Sequence, residues 1–321
     1  MSLDPDSTPT PSAPTPSAPA QSTHGPSTPA SSTPLPVAAR TARRDSATAV
    51  LLVVVVGLLM QAGSAVAVMV IESVGVIQTV WLRTALAAGL LAIVRPRSVR
   101  IPAKGERLLL VTLTLSLVAM NFSFYQAISR APVGIVVAVE FLGPLAVAVA
   151  GSRRLLDVVW VIFAGAGVAL LAGPGGSVSV PGLLFALLAA VCWAAFILLA
   201  KRAVTRMEPL PVTVMMLVGA SIILTPIWLA TGVKIVGYGQ ALLLGLVVAV
   251  LSSALPYFLE LAAIKRVRAS TYGVLLSIEP AIAALMGFLI LSQTLAGREI
   301  VGIVAIVIAA AGASYWSSAG R

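Results

Sequence analysis

From residue 47 to residue 316 the chain is a succession of ten apolar segments of about membrane-spanning length, and the short stretches between them carry nearly all the charge. The segments span about 47–71, 74–94, 108–129, 132–151, 156–173, 181–200, 210–231, 240–263, 270–291 and 298–316. A bilayer core about 30 Å thick takes about 20 helical residues to cross. In hydrocarbon a lone helix pairs its own backbone groups. With 59% hydrophobic residues and only 10% charged, a water-facing surface cannot be covered. The expected fold is therefore an all-α polytopic membrane protein with ten transmembrane helices.

The loop charges set an orientation. If the first helix enters from the cytoplasm, that side holds Arg40, Arg43, Arg44, Arg95, Arg97, Arg100, Lys104, Arg107, Arg153 and Arg154. It also holds Lys201, Arg202, Arg206, Lys265, Arg266, Arg268 and Arg321. The other side keeps Arg130, Lys234 and Arg298, and Arg83 falls inside the second segment. Seventeen cations against three is the positive-inside bias, with both termini cytoplasmic. One helix more or fewer would invert every later loop and destroy the pattern. The formal charge of +10 is thus a topology signal and not a nucleic-acid face.

Ahead of the first segment, residues 1–45 are a Pro/Ser/Thr/Ala-rich tract with almost nothing to bury. Such a composition reads as a disordered cytoplasmic tail. Beyond it the chain divides into 46–176 and 177–321, five segments each. AISRAPVGIVVAVEFLGP (127–144) sits without a gap over AIKRVRASTYGVLLSIEP (263–280), an offset of 136 that aligns Pro144 with Pro280 and Asn121 with Tyr257. Because five is odd, equivalent helices would run in opposite directions, giving two inverted repeats. Inverted repeats put a substrate site at the midplane between the halves, commonly on broken helices.

The fourth segment, PVGIVVAVEFLGPLAVAVAGS, carries one charge near its middle, Glu140, with Pro144 one turn later. A charged residue there costs roughly 2.5–3.5 kcal/mol on insertion scales and marks a functional hypothesis by default. Pro144 removes a backbone donor and frees a carbonyl in the preceding turn. Glu279 directly precedes Pro280, and Pro256 and Glu260 share a face, as do Asn121 and Tyr125. The expected substrate or proton-coupling set is Glu140, Asn121, Tyr125, Tyr257, Glu260, Glu279 and Arg83, with helix breaks at Pro144, Pro256 and Pro280. Structural readings stand beside this one. Glu140 would simply neutralise Arg83, Glu260 and Glu279 would lie hydrated near a membrane end, and Asn121, Tyr125 and Tyr257 would be interhelical glue. Gln61, Trp193 and Tyr272 are further polar groups in the segments, and Cys192 reads as a small core residue.

Enzyme chemistry lacks its parts. Outside the tail the sole aspartate is Asp157, and the sole histidine, His24, lies in the tail. That rules out an aspartyl dyad, a Ser-His pair and HExxH zinc chemistry in the membrane region. There is no GxxxxGK[ST] loop, so nucleotide hydrolysis does not drive the chain. With one cysteine there is neither an internal disulfide nor a metal cluster, and no cofactor is called for.

VGIVVAVEFLGPLAVAVAGSRRLLDVVWV (133–161) and LSSALPYFLELAAIKRVRASTYGVLLSIEPAIAALMGFLILSQTL (251–295) resemble the EamA-type drug/metabolite transporter superfamily, and within it the threonine/homoserine exporters. MNFSFYQAIS (120–129) and CWAAFILLAKR (192–202) are similar to the same pattern, so the resemblance runs over about residues 47–316. It implies a secondary transporter in the bacterial inner membrane that exports small amino acids in exchange for protons. Its partners would then be the amino acid, protons and membrane lipid, with no nucleic acid and a homodimer left open. Glu140 would carry the proton or meet the substrate ammonium, Asn121, Tyr125 and Tyr257 would bond the substrate, and Arg83 would be a counter-charge. The same fold exporting another metabolite or a drug, and a non-transporting scaffold that presents the tail, remain the alternatives.

Overall fold

The computed structural model describes residues 37–99, 102–150, 155–172, 178–232, 238–267, 272 and 275–318. The expected disordered tract through residue 36 lies outside them. The first half contains α1 (Val37–Val74), α2 (Val76–Val94), α3 (Lys104–Ile128), α4 (Val133–Glu140), α5 (Leu142–Ala150) and α6 (Leu155–Ala172). The second contains α7 (Val180–Val204), α8 (Pro209–Ala230), α9 (Tyr238–Ala249), α10 (Leu255–Arg266), α11 (Glu279–Leu291) and α12 (Gly297–Ser318).

Each of the ten apolar segments contains helix, but they are not alike. Among the described residues, six stretches are long and apolar enough to cross a membrane: Val50–Val74, Val76–Val94, Lys104–Ile128, Val180–Val204, Pro209–Ala230 and Leu242–Arg266. Val133–Val147, Val159–Leu171 and Glu279–Leu291 are shorter. Helix α1 begins at Val37, so residues 37–45 of the expected tail are helical. VAARTARRDSA has no proline or glycine, and Ala and Arg are strong helix formers. Only Gly75 separates α1 from α2, at φ 89, a left-handed conformation that excludes most side chains.

The three expected proline breaks take three forms. In the fourth segment the turn falls at Phe141, between α4 and α5, so Pro144 lies in the first turn of α5 and not at the break itself. Its missing N–H leaves the Glu140 carbonyl without its partner one turn on. Ahead of Pro256 the chain widens into a π segment, Val250–Ala254, closed by the bond from Leu255 N–H to the Val250 carbonyl. Ahead of Pro280 it tightens into a 3₁₀ turn, Leu276–Ile278, and α11 starts at Glu279. Proline is favoured in a first helical turn because its absent donor is unneeded there. Each break thus restarts a helix beside a candidate residue.

Between lipid-facing helices, close packing replaces hydrophobic burial as the associating force. Leu108, Val111 and Leu115 on α3, and Leu184, Leu188 and Val191 on α7, stay exposed. Inside, α3 packs along α7 and α1 along α9, the π segment and α10, while α2 meets α8, α4 meets α11 and α6 meets α12. Glycines permit the closest approaches. A Cβ on Gly167 would sit 2.8 Å from the Gly302 carbonyl oxygen, and one on Gly302 would sit 2.9 Å from that of Gly167. These crossings leave a polar cleft where α1, α2, α3, α4, α7, α10 and α11 converge.

Candidate functional site

The cleft is a cavity lined by Met60, Gln61 and Ser64 of α1, Arg83 of α2, and Met120, Asn121 and Phe124 of α3. Glu140 at the end of α4, Trp193 of α7, Ser252 of the π segment, Tyr257 and Glu260 of α10, and Glu279 at the start of α11 complete it. Both halves contribute. Its volume, as room for the centres of water-sized spheres, is about 50 Å³. That is space for roughly three to five waters.

Six of the seven expected site residues line this one cavity, and the seventh, Tyr125, is fully buried behind it on Arg83. Arg83 is 3% exposed and is held by neutral oxygens. Its Nη1 donates to Tyr125 Oη at 2.6 Å, and its Nη2 donates to Asn121 Oδ1 at 2.8 Å and Tyr257 Oη at 3.1 Å. The guanidinium also lies over the Tyr125 ring, 5.0 Å from the centroid. Asn121 Nδ2 donates to Tyr257 Oη at 2.9 Å and to the Leu117 carbonyl at 3.0 Å. The two residues aligned by the offset of 136 therefore touch, bridging α3 and α10 beside the arginine.

Glu140, Glu260 and Glu279 are 7%, 2% and 2% exposed. Glu260 and Glu279 are thus buried in the protein and line the cavity, on two helices that both pack against α1. Glu260 accepts from Tyr272 Oη at 3.0 Å and from the Trp193 side chain. Glu140 feels the charges of Glu260 and Arg83, and Glu279 those of Glu260 and Glu140. Among the described residues none of the three forms an ion pair with Arg83. The direct partners of the Arg83 terminal nitrogens are the two tyrosines and Asn121, with Glu140 acting on the arginine only at longer range. Three carboxylates around one cation would hold a net charge of −2 if all were ionised. A buried charge of that size requires neutralisation. Protons or a bound ammonium group would supply it.

Gln61, Trp193 and Tyr272, noted in the sequence as polar groups but left out of the expected set, enter the site or its supports. Their signal, a polar group midway along an apolar segment, is shared with ordinary packing residues. Ser64, Ser252, Met60, Met120 and Phe124 gave no signal, since small and apolar side chains occur throughout such helices.

The threonine/homoserine exporter RhtA of Salmonella typhimurium strain LT2 is 41% identical over 258 residues, covering 79% of this chain and 87% of its own. The EamA-like transporter family model matches residues 180–315. The chain belongs to the EamA-like transporter family. The RhtA exporter of Escherichia coli strain K12 is 39% identical over the same shares. A solved crystal structure superposes on 85% of this chain and 98% of its own with a TM-score of 0.65 at 17% identity, a likeness of fold alone. As an EamA-like protein with multiple apolar helices, the molecule is a multi-pass membrane transporter and not an enzyme.

Proposed function

We propose that this EamA-like protein exports small amino acids of the threonine/homoserine type from the cytoplasm across the bacterial inner membrane, in exchange for protons. The observation that carries the reading is the buried cavity in which three carboxylates share one arginine without an ion pair. A site of this kind is neutral only when protons or a cationic group occupy it, which couples the two kinds of occupant. The named relatives supply the cargo class. Glu140 is the proposed proton carrier, since it borders the break between α4 and α5, with Glu260 and Glu279 assisting. In the scaffold alternative such buried charge has no use.

The proposed architecture is ten crossing helices in two inverted five-helix repeats, residues 46–176 and 177–321, with both termini cytoplasmic. Exchanging the halves maps the α3–α7 contact onto α1 with α9 and α10, and it maps α2–α8, α4–α11 and α6–α12 onto themselves. Asn121 on Tyr257 then lies at the pseudo-twofold axis. A cavity whose polar lining is this buried has to open before an amino acid enters, which alternating access between repeats would provide.

Efflux of preloaded radiolabelled threonine, with and without a protonophore, tests the reading. Export above vector controls that the protonophore collapses is expected. Glu140→Gln should abolish exchange with the protein still folded in the membrane. Normal export by that variant would remove Glu140 from the coupling role, and no threonine or homoserine efflux would move the cargo to another metabolite or a drug.

A further inference from the structure

We infer that the cavity holds an amino-acid zwitterion in one orientation, with its ammonium on Gln61 Oε1 and Glu279 Oε1 and its carboxylate on Arg83 Nε. The assignment rests on the amino-acid export reading and deepens it. The observation is three buried side-chain atoms, each on a residue that lines the cavity, with no hydrogen-bond partner among the described residues: Gln61 Oε1, Arg83 Nε and Glu279 Oε1. Their side chains are 5%, 3% and 2% exposed. A buried polar atom left unpaired costs about 1–3 kcal/mol. Three in one cavity describe the complement of what belongs there.

Two of the atoms are acceptors and one is an N–H donor. The acceptors stand on one wall. The Glu279 side chain lies along α1 at Gly57, where a Cβ would be 3.4 Å from Glu279 Cγ and 3.8 Å from Oε1. Gln61 is one turn further on the same face of α1, about 6 Å along the helix. The donor comes from α2. Arg83 cannot rotate freely, because Tyr125, Asn121 and Tyr257 hold its terminal nitrogens, and Nε is its one nitrogen with no partner among the described residues. An ammonium offers donors and a carboxylate offers acceptors. A free amine answers only the Gln61–Glu279 wall, a simple acid only Arg83, and an apolar solute neither. An α-amino acid, with both groups on one carbon, answers both. The wall formed by Glu140 and Trp193 is then left for the proton.

Counterflow of radiolabelled L-threonine in proteoliposomes tests the orientation, with two competitors that each lack one charge. L-Threonine methyl ester lacks the carboxylate, and 2,3-dihydroxybutanoate lacks the ammonium. Against the wild type each should compete at least tenfold more weakly than threonine, the scale of one lost charge-assisted hydrogen bond. Gln61→Leu and the near-isosteric Glu279→Gln should each weaken threonine roughly tenfold and leave dihydroxybutanoate unchanged. Two variants, each checked by size exclusion and thermal unfolding, guard against one of them misfolding. If both weaken dihydroxybutanoate as much as threonine, these residues act through packing and the orientation is wrong, although threonine export stands. A wild type that neither exchanges threonine nor is thermally stabilised by it overturns the orientation and the export reading together.

Discussion

Replacing Tyr257 by phenylalanine removes one oxygen and nothing else, at the point where the two halves meet. That oxygen accepts from Arg83 Nη2 at 3.1 Å and exchanges hydrogen bonds with Asn121 at 2.9 and 3.1 Å. The residue is 1% exposed, so water cannot take its place from the surface. A hydrogen bond to a charged group is worth about 1.5–3 kcal/mol in soluble proteins. Interhelical bonds in membranes average about 0.6 kcal/mol and reach about 1.7. Arg83 keeps Asn121 and Tyr125, and Asn121 keeps the Leu117 carbonyl, so no group is left without a partner. The charge-assisted bond from Arg83 and the two neutral bonds exchanged with Asn121 together place the expected loss at about 1.5–3 kcal/mol. Thermal and denaturant unfolding of the purified protein in micelles reads it. Combination with Asn121→Ala should give a coupling of at least about 0.5 kcal/mol, the lower limit for residues in one network. A loss below about 0.5 kcal/mol, the range of an ordinary surface substitution, would refute the claim that this hydroxyl ties the halves together. So would additivity of the two changes.

Two further outcomes follow from packing and from helix ends. At Gly143 a Cβ would collide with the Ala190 carbonyl oxygen and lie 3.2 Å from Ala194 N, both backbone atoms of α7 that cannot swing aside. Gly143→Ala should therefore lower stability by about 1–3 kcal/mol. Gly89→Ala, where nothing lies within 4 Å, should be neutral or stabilising; equal melting temperatures for the two variants would contradict the close contact. Lys201 Nζ donates to the carbonyls of Ile264 at 2.8 Å and Val267 at 2.6 Å, capping the end of α10 from α7. Lys201→Met keeps the length and removes the donors, so hydrogen exchange should quicken over residues 263–267, and unchanged protection there would show the cap to be idle.

Much was legible because the bilayer imposes local rules. Apolar segments of fixed length separated by basic loops are enough to indicate a polytopic helical protein, and costly polar residues within them indicate where to look. Glu140, Asn121 and Tyr257 were singled out that way, and the offset of 136 aligned the last two as equivalent positions without saying that they would meet. The site's internal chemistry was not legible. Nothing in the sequence near Arg83 says that its partners are Tyr125, Asn121 and Tyr257 and not Glu140, since those partners lie 42, 38 and 174 residues away. Gln61 carried no more signal than any lone glutamine in a helix. The break expected at Pro144 falls at Phe141, because a proline disturbs the carbonyl one turn before it and is itself welcome in the next helix's first turn.

By itself, then, the sequence determined the class of molecule, the rough helix spans and the short list of buried polar residues. Hydropathy and charge act over one turn or one loop, and each is priced against the membrane alone. Which of those residues meet was decided by how helices from the two halves cross. Glycines at 143, 167 and 302 set the approach of their backbones, and the proline-linked breaks set where side chains turn inward. Only the tertiary structure brings Glu140, Glu260 and Glu279 around a single arginine. Lipid tails are as apolar as the helices they surround, so packing and hydrogen bonding between distant segments choose the arrangement.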